Sequence, residues 1–271
     1  MRMHKTLRFC VDQLRPYINW IYFFHAWSMN GKPAHEQQVL RGDAEKLLSS
    51  WQGLYEGRAV FGLFDANSDG DDIVVDGGRI PLLRQQHGGS EPNLCLADFV
   101  RPLSMGKKDT IGVFCTTAQV PIVDASSDPY ASLLSQTIAD RLAEASAELM
   151  HLEVRRSYWG YAPHESLSIE DLLSERFQGI RPAVGYPSMP DTSLNFVLDS
   201  LIDFSSIGVH LTENGMMRPH ASVSGIMLAH PEARYFSLGP IGEDQLEDYA
   251  RRRGEATGYI RRFLQANLND D

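Results

Sequence analysis

The residues of this chain best equipped for chemistry are Arg181 and Tyr186, set in Gly179-Ile180-Arg181-Pro182-Ala183-Val184-Gly185-Tyr186-Pro187. Pro182 and Pro187 each hold φ at about −65° and bias the residue before them to extended geometry. Gly179 and Gly185 can take angles closed to other residues. A backbone this stiff, carrying a guanidinium fork and a flat amphipathic ring, suits a small ligand that has a carboxylate and a planar ring. On the loop alone the plainer reading comes first, a Pro-stiffened turn with a surface Arg.

Other reactive patterns lead elsewhere. Asp65-Ala66-Asn67-Ser68-Asp69-Gly70 matches the first half of an EF-hand calcium loop, with oxygen ligands at alternate positions and Gly sixth. Its twelfth position is Asp76 where a bidentate Glu is needed, and Ala59 to Phe64 before it is strand-like where an EF-hand has a helix. An acidic turn between strands is the better reading. No histidine pair has helical i, i+4 spacing around a Glu, and Ser222 and Ser224 lie in Ser-Val-Ser-Gly, which is not a hydrolase elbow. No Gly-x-Gly-x-x-Gly follows a strand, so a nucleotide would be held by other means. We therefore expect neither a metal site nor a catalytic nucleophile.

These side chains need a frame. A helical period runs through Val39, Ala44, Leu47, Leu48 and Trp51 and ends near Gly57. Apolar runs at Ala59–Phe64, Ile73–Val75 and Ile111–Cys115 read as strands. The longest helix begins at Ser127 or Asp128 with Pro129 in its first turn, and buries Leu134, Ile138, Leu142, Ala145, Leu149 and Leu152. A polar elbow around Pro163 leads to a short helix over Ile169–Phe177, then to the Arg181 loop. Leu194, Val197, Leu198, Leu201 and Ile202 mark another helix. Val223–Leu228 and Arg234–Leu238 read as a strand pair about a His230-Pro231 turn, and two helices parted near Gly254 close the chain. Strands and helices do not alternate regularly, so the class is α+β with an antiparallel sheet rather than a doubly wound one.

With 271 residues the chain can bury a full core, as one large domain or two small ones. A net charge of −10 argues against a nucleic-acid partner. Arg251, Arg252, Arg253, Arg261 and Arg262 gather near the C-terminus, first as the solvated face of a helix, second as a docking patch for an acidic partner. Cys10, Cys95 and Cys115 form neither a disulfide framework nor a zinc motif and suit a reducing cytoplasm. The start of the chain lacks a signal-peptide run, and the apolar patch Trp20–Trp27, broken by His25, is too short to span a bilayer. We expect a cytoplasmic protein with no membrane partner.

Several segments in the same order resemble the activation domain of cobalamin-dependent methionine synthase. They are Tyr17-Ile18-Asn19-Trp20 with Phe23-Phe24 and Trp27, Ala66-Asn67-Ser68-Asp69-Gly70-Asp71-Asp72-Ile73, Tyr158-Trp159-Gly160-Tyr161-Ala162-Pro163, the Arg181 loop, Ala221-Ser222-Val223-Ser224-Gly225 and Leu246-Glu247-Asp248-Tyr249-Ala250-Arg251-Arg252. The resemblance covers nearly the whole chain and implies one domain over residues 1–271, a bent, mainly antiparallel sheet with helices around it in a single curved unit. It implies that Arg181 holds the methionine carboxylate of S-adenosylmethionine, a donor with no phosphate to cradle. Ala183, Gly185 and Tyr186 then line the ligand, Glu144 lies near its methionine part, and Tyr235 is an aromatic contact. Without the resemblance, Glu144 is a solvated helix flank and Tyr235 a strand residue.

Three positions depart from the family pattern. Asn19 stands where the family has an acid near the ligand, which removes charge assistance of roughly 1 kcal/mol, or a few- to tenfold in affinity. Phe236 replaces a Tyr, and Met217-Arg218-Pro219-His220 replaces an aromatic before the Pro and a Gly after it. The implied function is reductive reactivation. S-adenosylmethionine supplies a methyl group and a flavodoxin-type protein an electron to cob(II)alamin. The chain has no Asp-x-His-x-x-Gly cobalamin motif and too few cysteines for a zinc-bound homocysteine site. The cobalamin would therefore be carried by a separate methionine synthase polypeptide lacking its own activation domain, with this chain as a stand-alone reactivation subunit. Two alternatives stay open: a corrinoid-protein cap or escort that does not use S-adenosylmethionine, and a reactivator of another corrinoid methyltransferase.

Overall fold

A computed structural model of the protein describes residues 2–76, 78–88 and 90–268. In chain order its elements are β1 (Met3–Cys10), α1 (Val11–Leu14), α2 (Trp20–Ala26), α3 (Ala34–Trp51), β2 (Glu56–Asp69), β3 (Asp72–Val75), β4 (Gly78–Pro81), β5 (Asp109–Gln119) and α4 (Pro129–Glu153). There follow α5 (Ile169–Leu173), α6 (Leu194–Ile202), β6 (His210–Leu211), β7 (Met217–Arg218), β8 (Ser222–Met227), α7 (Glu243–Arg253) and α8 (Thr257–Leu264).

β2 is the spine of a six-stranded sheet in which every strand pairing is antiparallel. One edge of β2 pairs with β1 along its first half and with β3 beyond; the other edge pairs with β5, which carries β8. Both faces of the sheet are covered, which is why these strands read as continuous apolar runs. Ala59, Phe61, Leu63 and Phe114 face one core with the stripes of α3 and α4. Val60, Phe64, Ile111, Val113 and Cys115 face a second core with α6. A third cluster, built on Leu246, Tyr249 and Ile260, joins α7 to α8.

The α+β class and the bent antiparallel sheet agree with the sequence. So do α4, capped by Asp128 with Pro129 leading, and α6. The acidic segment Asp65–Asp69 continues β2 rather than forming a calcium loop. Asn67 Nδ2 donates to the Arg101 and Lys107 carbonyls (3.0 and 2.8 Å), and the turn itself is Gly70-Asp71. β1 was not legible because it is a mostly exposed edge strand whose core-facing side, Met3, Leu7 and Phe9, is interrupted by Lys5.

One expected strand is wrong. Arg234–Leu238 is irregular, because the edge of β8 where it would pair is already taken by the Arg181 loop. The C-terminal arginines divide: Arg251 and Arg262 are exposed, as a solvated helix face expects, while Arg252 and Arg253 turn inward. Arg253 pairs with Asp191 in the interior, Arg252 with Asp72 and Asp248, Arg251 with Asp248, and Arg261 with Glu243. The Ala66–Ile73 and Leu246–Arg252 segments, remote in sequence, thus meet through Asp72 and Arg252.

Candidate functional site

The Arg181 loop is stitched to β8 as an irregular extra strand. Ile180 and Leu228 exchange backbone hydrogen bonds (2.9 and 3.0 Å), Ile226 N–H donates to the Pro182 carbonyl (3.1 Å), and Val184 N–H donates to that of Ser224 (2.9 Å). Gly179 has φ +84°, and a Cβ there would lie 2.3 Å from the Leu228 oxygen. At Gly225 a Cβ would lie 2.1 Å from the Pro182 oxygen. The Ser-Val-Ser-Gly segment is therefore a seat for the loop, and Ser224 Oγ donates to Asn195 Oδ1 (2.5 Å) rather than facing a substrate. Gly225→Ala should push the Pro182 carbonyl away and cost about 2 kcal/mol, the usual scale of overpacking. Thermal unfolding reads this directly, and an unchanged melting temperature would show that the seat yields freely.

Arg181 points inward, its side chain 8% exposed. Its backbone N–H donates to Tyr235 Oη (2.9 Å), Nη2 donates to Glu148 Oε1 (2.5 Å) and Nη1 to His151 Nδ1 (3.1 Å). Burial opposes the Arg181 charge, but Glu148, the strongest of its partners, holds its pKa above the usual value. Tyr186 Oη donates to Glu144 Oε1 (2.7 Å). Burial, then Glu144, pushes the Tyr186 phenol up, and burial raises that of Tyr235 to about 12.

Glu144, Glu148 and His151 stand at i, i+4 and i+7 of α4 and so share one face. His151 is fully buried, and burial, aided by Arg181 and Arg155, keeps its pKa well below the ordinary value. An arginine can only donate, so His151 Nδ1 accepts and the ring proton sits on Nε2, 3.4 Å from Tyr161 Oη. The Tyr161 hydroxyl donates onward to the Gln178 carbonyl (3.3 Å). Behind the imidazole, the Phe177 ring meets it edge-on at 5.1 Å, and Arg155 lies 3.9 Å over Phe177. Arg155 makes a two-pronged pair with Glu165 (2.9 and 2.7 Å) from a π-helical turn, Val154–Tyr158, that extends α4.

The structure thus gathers Arg181, Ala183, Gly185, Tyr186, Glu144 and Tyr235 around one loop and one helix face. Asn19 is the N-cap of α2. Its Oδ1 accepts from the Ile21 and Tyr22 N–H groups (3.1 and 3.4 Å), and among the described residues no hydrogen bond joins it to the Arg181 group. Tyr22, one turn on, is near enough to act electrostatically on Tyr186. Arg218 is exposed on β7, and Phe236 packs against the second core. Sequence reasoning missed Glu148, His151 and Tyr161; the spacing from Glu144 was the signal for the first two.

Among the described residues, Glu148 and His151 claim two of the five side-chain N–H donors of Arg181, which leaves three. The buried Glu148 Oε2 has no hydrogen-bond partner among the described residues. A cationic fork with donors to spare, beside an acceptor that lacks a donor, complements a zwitterionic amino-acid head, carboxylate to Arg181 and ammonium to Glu148. Among the described residues no group of three or more His, Cys, Asp or Glu could hold a metal, and no helix is long and apolar enough to cross a membrane.

Fold and site together define an α+β domain whose loop over β8 sets a buried arginine against the carboxylates of one helix face. The model of the vitamin B12 dependent methionine synthase activation domain matches residues 10–254. A crystal structure of the MetH reactivation domain bound to AdoHcy is similar over 99% of this chain and 91% of that one, with a TM-score of 0.92 and 38% identity. This chain belongs to the family of vitamin B12-dependent methionine synthase activation domains.

Proposed function

We propose that the chain binds S-adenosylmethionine at the Arg181 group and supports reductive methylation of cob(II)alamin carried by a methionine synthase polypeptide as partner. The observation that carries this reading is the pairing of three unclaimed Arg181 N–H donors with the unpartnered Glu148 Oε2. Bound S-adenosylmethionine supplies the methyl group; a flavodoxin-type reductant supplies the electron. The protein's own task is positioning, with no nucleophile required. Arg181 fixes the carboxylate, Glu148 the ammonium, and the ring of Tyr186, its hydroxyl tethered to Glu144, offers a flat face. Free thiols at Cys10, Cys95 and Cys115 suit work in a reducing cytoplasm.

The test combines the purified chain, cobalamin-loaded synthase polypeptide, reductant and S-adenosylmethionine, and follows methylcobalamin by its absorbance. Methylcobalamin formed only when all four are present supports the proposal. No methylcobalamin, with no heat of S-adenosylmethionine binding at millimolar ligand, would instead favour a corrinoid cap.

Asn19 offers a graded check. An Asp there would place a carboxylate at the N-terminus of α2, which favours the helix by about 0.3–1 kcal/mol, and restore the acid that the family has near the ligand. Asn19→Asp should tighten S-adenosylmethionine binding by roughly three- to tenfold. Tighter folding with unchanged affinity would confine Asn19 to capping.

A further inference from the structure

Resting on that reading, we propose that His151 is a positioning residue, which sets the Arg181 fork for the ligand carboxylate by accepting its hydrogen bond without adding a charge. Glu148 alone pins one corner of the guanidinium. A second acceptor on the other terminal nitrogen fixes its plane, and the Nη1–Nδ1 contact at 3.1 Å supplies it. The charge of that second acceptor decides what else can bind. Arg181 and Glu148 cancel, Arg155 cancels with Glu165 behind them, and Glu144 adds one negative charge beside Tyr186. A carboxylate in place of His151 would add a second uncompensated negative charge, next to the fork itself, and repel an incoming carboxylate; a cation could not accept at all.

An imidazole meets the requirement only in one tautomer, and the fold selects it. The Nε2 proton faces Tyr161 Oη, and the Tyr161 proton goes to the Gln178 carbonyl in the chain leading to Arg181. Phe177 packs perpendicular to the fully buried imidazole at 5.1 Å and so holds its plane. The Tyr-Trp-Gly-Tyr segment therefore reaches the ligand site through His151, a link that neither segment reveals alone.

Two ligands and two variants test this. S-adenosylhomocysteine carries the amino-acid head; 5′-methylthioadenosine has the same adenosyl thioether without it. His151→Asn keeps a neutral acceptor near the position of Nδ1, and His151→Asp keeps the geometry but adds charge. Dissociation constants come from calorimetry and from competition for the weaker ligand. In His151→Asn we expect both ligands to bind within about threefold of wild type. In His151→Asp we expect S-adenosylhomocysteine to weaken at least about tenfold while 5′-methylthioadenosine stays within about threefold.

Equal weakening of both ligands would show a merely structural role and overturn the proposal, as would Asn and Asp variants that bind alike. A second measurement needs no folded variant: ¹⁵N spectra of the ligand-free wild type should show His151 neutral with its proton on Nε2, and the Nδ1 tautomer would overturn the role. A wild type that binds neither ligand refutes the functional reading itself, and the positioning role falls with it.

Discussion

Replacing Arg181 by Ala is expected to abolish S-adenosylmethionine binding at millimolar ligand and to lower the melting temperature as well. Hydrogen bonds to charged groups are worth about 1.5–3 kcal/mol each, so loss of a two-pronged carboxylate contact weakens binding by about 100-fold or more. The stability loss has a separate cause. Without Arg181, Glu148, 13% exposed, loses the one cation that is hydrogen-bonded to it among the described residues. Removing one partner of a buried pair costs about 3–5 kcal/mol, and the partial exposure here brings that to about 2. The double variant R181A/E148A separates the two effects, since it removes the stranded charge and should regain most of the stability while still failing to bind. Unimpaired binding by Arg181→Ala would remove the fork from the site.

The same contact shows where sequence legibility ends. Arg181 and Tyr186 were conspicuous because prolines and glycines around them advertise a fixed backbone. The long helix was plain from its Asp-Pro start and apolar stripe. Glu148 and His151 lie on that very helix, but a carboxylate and an imidazole on a helix flank look the same whether they face water or a buried guanidinium. What distinguishes them is the loop that returns to the helix from residue 180, a contact that no local pattern encodes. Arg234–Leu238 misled for a related reason: its composition suits a strand, yet Gly225 lets the Arg181 loop take the edge that strand would need. Arg252 and Arg253 misled in the opposite direction, since charge clusters usually mark surface, as Arg251 does, and here Arg253 is interior.

Asp191→Ala is expected to be the most destabilising of these changes. Asp191 is fully buried, accepting from Arg253 Nη1 (2.8 Å), Tyr249 Oη (2.8 Å) and the Ser193 N–H (2.8 Å). The Ala variant would strand a cation 5% exposed together with a buried hydroxyl. Breaking such a pair costs about 3–5 kcal/mol, and at about 2–4 °C per kcal/mol for a chain near this size the melting temperature should fall by about 10 °C. Asp191→Asn, which keeps an acceptor but not the charge, should lose roughly half as much. Ligand affinity well below the transition should change by less than about threefold, because Arg181 is held by β8 and by Glu148 and His151 rather than by Asp191. Calorimetric unfolding beside ligand titration reads both quantities. An unchanged melting temperature would mean that the pair only repays its own desolvation, and a parallel loss of affinity would make the C-terminal helices part of the ligand site rather than its support.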